Sequence, residues 1–114
     1  AYPAVNGWAM VGGWALFTKT LLTDIDQERM TVVSVDALPQ ELPYVKQGVV
    51  PVLWAQPTYL WGYVSVETIV NKVHLRMDVQ EINPMELVKV TNENLAEWAQ
   101  QLRDWGFTDV PDEY

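Results

Sequence analysis

The chain has 114 residues, about half of them apolar, with six Trp, five Tyr, no Cys, and fifteen acidic against seven basic residues for a formal charge of −8. That balance argues against a basic face for nucleic acid or for an anionic membrane surface. The lack of cysteine removes any disulfide framework, thiolate nucleophile or Cys-type zinc site. No apolar run approaches the ~20 residues a membrane helix needs, and the length suits one small domain with a modest core.

The opening Ala1-Tyr2-Pro3-Ala4-Val5 reads as the tail of a strand whose beginning is missing, so the chain is expected to be a fragment. Residues 6–18 carry apolar groups at helical spacing, with Asn6 suited to the N-cap. Gly12 and Gly13 inside that stretch cost roughly 1 kcal/mol each against Ala, a cost better tolerated if the helix lies close to a sheet. After a polar connector around residues 23–29, residues 30–35 are β-branched and nearly continuously apolar, as expected for a strand buried on both faces. The strand ends at Asp36, and Leu38-Pro39 leads into a short helix over residues 40–47, stopped by Gly48.

Residues 49–55 form another buried strand. Pro57 then sits at the first position of a helix over residues 58–73, whose inner stripe would be Tyr63, Val66, Ile69, Val70 and Val73. A short strand is predicted over residues 85–90. The last helix is predicted over residues 93–105, capped by Asn92, with Leu95, Trp98, Ala99, Leu102 and Trp105 on one face and Gly106 after it. The tail to Tyr114 is acidic and expected to be loosely held. Strands alternating with helices in this order predict a parallel, wound α/β sheet.

In open parallel sheets a ligand sits outside the carboxyl ends of the strands. Three successive predicted strands end in a hydrogen-bonding side chain: Asn6, Asp36 and Gln56. Each has an ordinary role open to it: Asn6 as a helix cap, Asp36 as a turn residue, Gln56 as a solvated residue before Pro57. Together they supply donors and acceptors without a nucleophile or an acid–base pair, a set that suits sugar hydroxyls. Trp8 and Tyr2 either face the same cleft and stack on a sugar ring or are buried against other parts of the fold. Trp54, Trp61, Trp98 and Trp105 read as core or inter-lobe packing.

Catalytic patterns are scarce. His74 is the sole histidine, with no G-x-S-x-G elbow, and neither a G-x-x-x-x-G-K-[ST] loop nor a G-x-G-x-x-G fingerprint occurs. Asp24, Asp26 and Glu28 echo calcium-loop spacing, but Arg29 stands where Gly is needed and the downstream Glu is missing. The reading calls for no enzyme activity, no cofactor and no metal.

The segments Asn6-Gly7-Trp8-Ala9-Met10-Val11-Gly12, Val33-Ser34-Val35-Asp36-Ala37-Leu38-Pro39 and Trp54-Ala55-Gln56-Pro57-Thr58-Tyr59-Leu60-Trp61-Gly62 resemble the type I periplasmic binding proteins of the ribose and galactose group, and the sensor domains of LacI-type repressors that share their fold. The resemblance implies an α/β, flavodoxin- or Rossmann-like lobe with a parallel sheet. It assigns residues 1–56 to the C-terminal part of the second lobe, 57–90 to the hinge crossing and a segment of the first lobe, and 91–114 to a return helix and tail. Asn6, Asp36 and Gln56 then take the places of three polar ligand contacts.

The implied function is solute binding for an ABC-type sugar or polyol importer. Its partners would be the small-molecule sugar or polyol and the membrane permease, with no nucleic acid in this segment. The implied location is periplasmic or extracytoplasmic, free or lipid-anchored. The alternative is the effector-sensing domain of a LacI-type regulator. Gly7-Trp8 and Pro57-Thr58-Tyr59 depart from the usual form, which leaves the ligand's identity open. A piece of this size would expose apolar surface, so it is expected to self-associate or swap elements.

Overall fold

A computed structural model describes residues 2–114. Its centre is one four-stranded sheet of Gly7–Ala9 (β1), Thr31–Val35 (β2), Val52–Ala55 (β3) and Val88–Val90 (β4), side by side in that order. The first three run parallel, with Trp8 opposite Val32 and Ser34 opposite Leu53, while β4 pairs antiparallel to β3 with Val90 opposite Leu53. The wound α/β architecture is therefore present, but the sheet is mixed rather than wholly parallel. After β3 the chain makes a long excursion and comes back along the same edge in the opposite direction. The strand expected to lie with another lobe thus joins this sheet.

One face of the sheet carries the core. Val32, Ser34, Leu53, Ala55 and Val90 are buried there against Leu42 and Val45 of a short helix, Leu42–Lys46 (α1), and against Leu95, Trp98, Ala99 and Leu102 of a later one, Leu95–Asp104 (α3). On the other face Val33, Val35 and Val52 are only half-buried and Trp54 is exposed. Burial on both faces, expected from the apolar run of β2, is thus met on one face only. No element among the described residues covers the second.

The start of the chain differs most from expectation. Residues 7–9 are extended and pair with β2, and the helical segment begins only at Gly13–Phe17, as a 3-10 turn. Gly12 and Gly13, where helix propensity is lowest, stand at the entry to that turn, past the end of the strand at Ala9. The helix expected over residues 6–18 is reduced to its last third.

The helix following β3, Thr58–Ile69 (α2), continues into a wider π-type turn, Val70–His74. It is apolar on every face and buries no residue, so the predicted inner stripe is open to solvent, with Tyr63 63% and Val73 74% exposed. The radius of gyration, 17.6 Å, exceeds the ~13 Å of a packed domain of this size because this arm projects.

The C-terminal helix starts at Leu95 rather than at residue 93, so Asn94 and not Asn92 stands before it. Asn94 accepts from the Thr91 N–H (2.8 Å) and donates to Lys89 O (2.9 Å), tying the start of α3 to β4. Gly106, at φ 91°, turns the chain out, and Phe107 N–H closes on Leu102 O at 3.0 Å. The tail is not loose: Arg103 donates to Pro111 O (2.7 Å) and Tyr114 O (3.0 Å), and Tyr114 packs against the core.

Candidate functional site

At the carboxyl end of β2 the backbone enters a conformation that side chains seldom adopt. Asp36 has φ 82° and Ala37 φ 53°, two consecutive non-glycine residues in the left-handed region, which costs roughly 1–2 kcal/mol per residue. Such strain persists only where the surroundings fix it. Three bonds do so here. Asp36 N–H donates to Trp54 O (3.0 Å), the Trp98 indole N–H donates to Ala37 O (2.8 Å), and Leu38 N–H donates to Glu41 Oε2 (2.6 Å). The turn aims Asp36 off the end of the sheet.

Asp36 Oδ2 accepts from the Gly13 N–H at 2.8 Å, which brings the loop after β1 against the same edge. Gln56 leaves the carboxyl end of the neighbouring β3. Asp36 and Gln56 line one cavity of about 260 Å³ together with Leu38, Thr58, Trp98, Leu102, Trp105 and Phe107. The aromatic wall is ordered: Trp98 meets Trp105 edge-on (centroids 5.5 Å), and Tyr59 stacks on Trp105 (5.9 Å, planes 9° apart). The space is slightly smaller than the ~300–1,000 Å³ of small-molecule pockets, as for one wall of a cleft. Carboxylate and amide groups over flat ring surfaces match a polyol with an apolar ring face. Larger hollows of about 570 and 700 Å³ run along α2, but they are open troughs beside an uncovered helix.

Of the residues singled out from the sequence, Asp36 and Gln56 come together and Asn6 does not. Asn6 precedes β1 and its carbonyl accepts from Thr31 N–H at 3.0 Å, at the amino end of the parallel strands. The shift follows from β1 being residues 7–9 rather than 2–5, which exchanges the two ends of the strand. Tyr2 lies before β1 at that same remote end, 87% exposed. Trp8 is in the middle of edge strand β1, opposite Val32, and outside the lining of the Asp36 cavity.

Two contributions were not anticipated. Gly13 supplies a backbone donor, and Trp98 and Trp105 wall the cavity instead of serving packing alone. The pair's seven-residue spacing, which places both rings on one face of α3, was the available signal.

Behind Asp36 lies a fully buried carboxyl, Glu41. Its N–H donates to Leu38 O (2.9 Å), the backbone bond that closes the 3-10 turn Pro39–Glu41, while its Oε2 takes the Leu38 N–H. Burial, opposed by the Leu38 bond and reinforced by the nearby Asp36 charge, pushes its carboxyl up to about 7.

No protein-family model and no curated protein matches the sequence. Solved structures do. A Bacteroides fragilis protein assigned to the LacI transcriptional regulators aligns with a TM-score of 0.71 at 23% identity, over 84% of this chain and 33% of its own. GanP, a glucose-galactose binding protein from Geobacillus stearothermophilus, aligns with a TM-score of 0.71 at 18% identity, over 82% and 34%. A myo-inositol binding protein from Caulobacter, solved with myo-inositol bound, aligns with a TM-score of 0.63 at 18% identity, over 81% and 32%. The chain thus has the fold of part of a type I periplasmic binding protein and spans about a third of the length of these structures.

Proposed function

We propose that this chain is the second-lobe portion, with the crossing into the first lobe, of a receptor that binds a sugar or polyol for an ABC-type importer outside the cytoplasm. The observation that carries the reading is the meeting of Asp36 and Gln56 in one aromatic-walled cavity at the carboxyl ends of β2 and β3. A strained turn clamped by three hydrogen bonds is what a preorganised ligand contact needs. Neighbours that share the fold bind glucose and galactose, D-allose or myo-inositol, which favours a hydroxyl-rich ligand.

In this reading Asp36 accepts ligand hydroxyls and Gln56 both donates and accepts at the hinge. Trp105 offers its ring to the apolar face of the sugar. The arm from Pro57 to Leu87 belongs to the first lobe, whose remaining elements bury the apolar α2 and close over the ligand. β4 and α3 return to the second lobe.

A second reading, the effector-sensing half of a LacI-type regulator, is favoured by the likeness to the Bacteroides fragilis regulator. Sequence-specific DNA binding by the intact protein would establish it. The common core of both readings is tested by thermal unfolding of the intact protein with D-allose, D-galactose, L-arabinose and myo-inositol. A ligand at 100 times its Kd adds ~2.7 kcal/mol. Failure of every sugar and polyol to shift the transition would overturn both.

A further inference from the structure

Glu41 is the buried ionisable group that ligand contact does not explain. Its side chain is wholly enclosed, yet only Oε2 is satisfied; Oε1 is buried and has no hydrogen-bond partner. An ionised carboxylate with one bond in an apolar interior is costly, whereas a protonated one is far less so. The carboxyl also lies directly against Gly13. A Cβ placed on Gly13 would overlap both oxygens and the Cδ of Glu41. Gly13 in turn donates its N–H to Asp36 Oδ2. A buried acid, a glycine with no room for a side chain and the cavity carboxylate are therefore in series.

We infer that Glu41 is a positioning residue for the Asp36 site, holding the Gly12-Gly13 turn and Asp36 in register only while uncharged, so that occupancy by a hydroxylated ligand is coupled to one proton. The coupling to ligand rests on the Asp36 cavity being the binding site; the coupling to Gly13 does not.

Few charges act on Glu41. Asp36 is the charged group beside it, at the end of β2. The 3-10 turn Gly13–Phe17 packed against it has no ionisable side chain. α1 carries Tyr44, whose hydroxyl donates to Thr18 O at 2.6 Å, and Lys46, which is exposed. Loss of the Glu41 proton thus places a second negative charge next to Asp36, with no buried cation among the described residues of these elements to offset it. Asp36 and Ala37 are tethered to Trp54 and Trp98, so the part free to yield is the Gly12-Gly13 turn and its bond to Asp36.

The test follows the Gly13 amide by NMR in the intact protein, alongside the Glu41 side-chain carboxyl, from mildly acid to mildly alkaline pH. In the wild type the Gly13 resonance should move with the Glu41 midpoint, away from its hydrogen-bonded position. In Glu41→Gln, neutral and of the same shape, it should stay at that position throughout. A Gly13 amide that stays fixed while the Glu41 carboxyl titrates overturns the proposal using wild-type protein alone. An identical shift in Glu41→Gln overturns it as well. Calorimetry with D-allose and myo-inositol supplies the ligand arm. Wild-type affinity should fall about tenfold per pH unit on the alkaline side of the Glu41 midpoint, and Glu41→Gln should be flat. Absence of binding by any sugar or polyol overturns the receptor reading, while the Gly13 resonance still decides the coupling.

Discussion

The Trp98 indole N–H donates to Ala37 O at 2.8 Å, a buried bond between the C-terminal helix and the turn that presents Asp36. Without it the Ala37 carbonyl, at the apex of a left-handed turn, would be enclosed with no donor. Trp98→Phe keeps the ring and removes the donor. It should destabilise the protein by ~1–3 kcal/mol, the cost of a buried acceptor left unsatisfied. A urea midpoint lowered at unchanged slope would register that loss, and an unaltered midpoint would show the turn to be held by its other two bonds.

Gly12 and Gly13 are adjacent, but space around them differs. A methyl on Gly13 meets the buried Glu41 carboxyl, whereas one on Gly12 meets the ring of Trp14, a side chain 70% exposed and free to swing. Gly13→Ala should cost ~1–3 kcal/mol, as overpacking usually does, and Gly12→Ala much less. Thermal denaturation of the two variants side by side decides this; equal losses would contradict the placement of Glu41.

The Glu41 carboxyl, held up at about 7 in the folded protein against 4.5 for a free glutamate side chain, makes stability depend on pH. Folding favours its protonated form. The contribution is therefore complete below about 4.5 and is lost as pH rises through about 7, amounting to about 3 kcal/mol. In Glu41→Gln that component of the slope should vanish. Chemical denaturation across this range measures it, and a wild-type slope equal to the variant's would refute a buried neutral acid.

Arg103 fastens the tail through the carbonyls of Pro111 and Tyr114. Arg103→Ala should free the last few residues and cost ~1–2 kcal/mol through bonds made by a charged donor. Faster hydrogen exchange of residues 111–114 would report it. Unchanged protection would assign the latch to the packing of Tyr114 alone.

Much of the architecture was legible because strong local signals agree with the fold. The β-branched run of β2, Pro57 at the start of α2, and the Leu95, Trp98, Ala99, Leu102 stripe before Gly106 all fell where their periods placed them. Asp36 and Gln56 were legible by strand position. Asn6 was not, because the Trp-rich stretch 6–18 has helical spacing as well as short extended pairs, and pairing with β2 settled the choice. The antiparallel direction of β4 depends on a non-local return that no period encodes. The exposure of α2 was hidden too, since sequence records that a helix is apolar but not which other part of a protein covers it. Glu41 gave a faint sign, the three-residue spacing from Leu38 at a helix start.

In the proposed receptor Asp36, off the end of β2, grips the hydroxyls of a sugar or polyol. Calorimetry of the intact protein and its Asp36→Ala variant, with whichever of D-allose, D-galactose, L-arabinose or myo-inositol stabilises the wild type, tests it most directly. Affinity should weaken by ~1.5–3 kcal/mol in the variant, the scale of hydrogen bonds to a charged group. Equal affinity in the two proteins would contradict it.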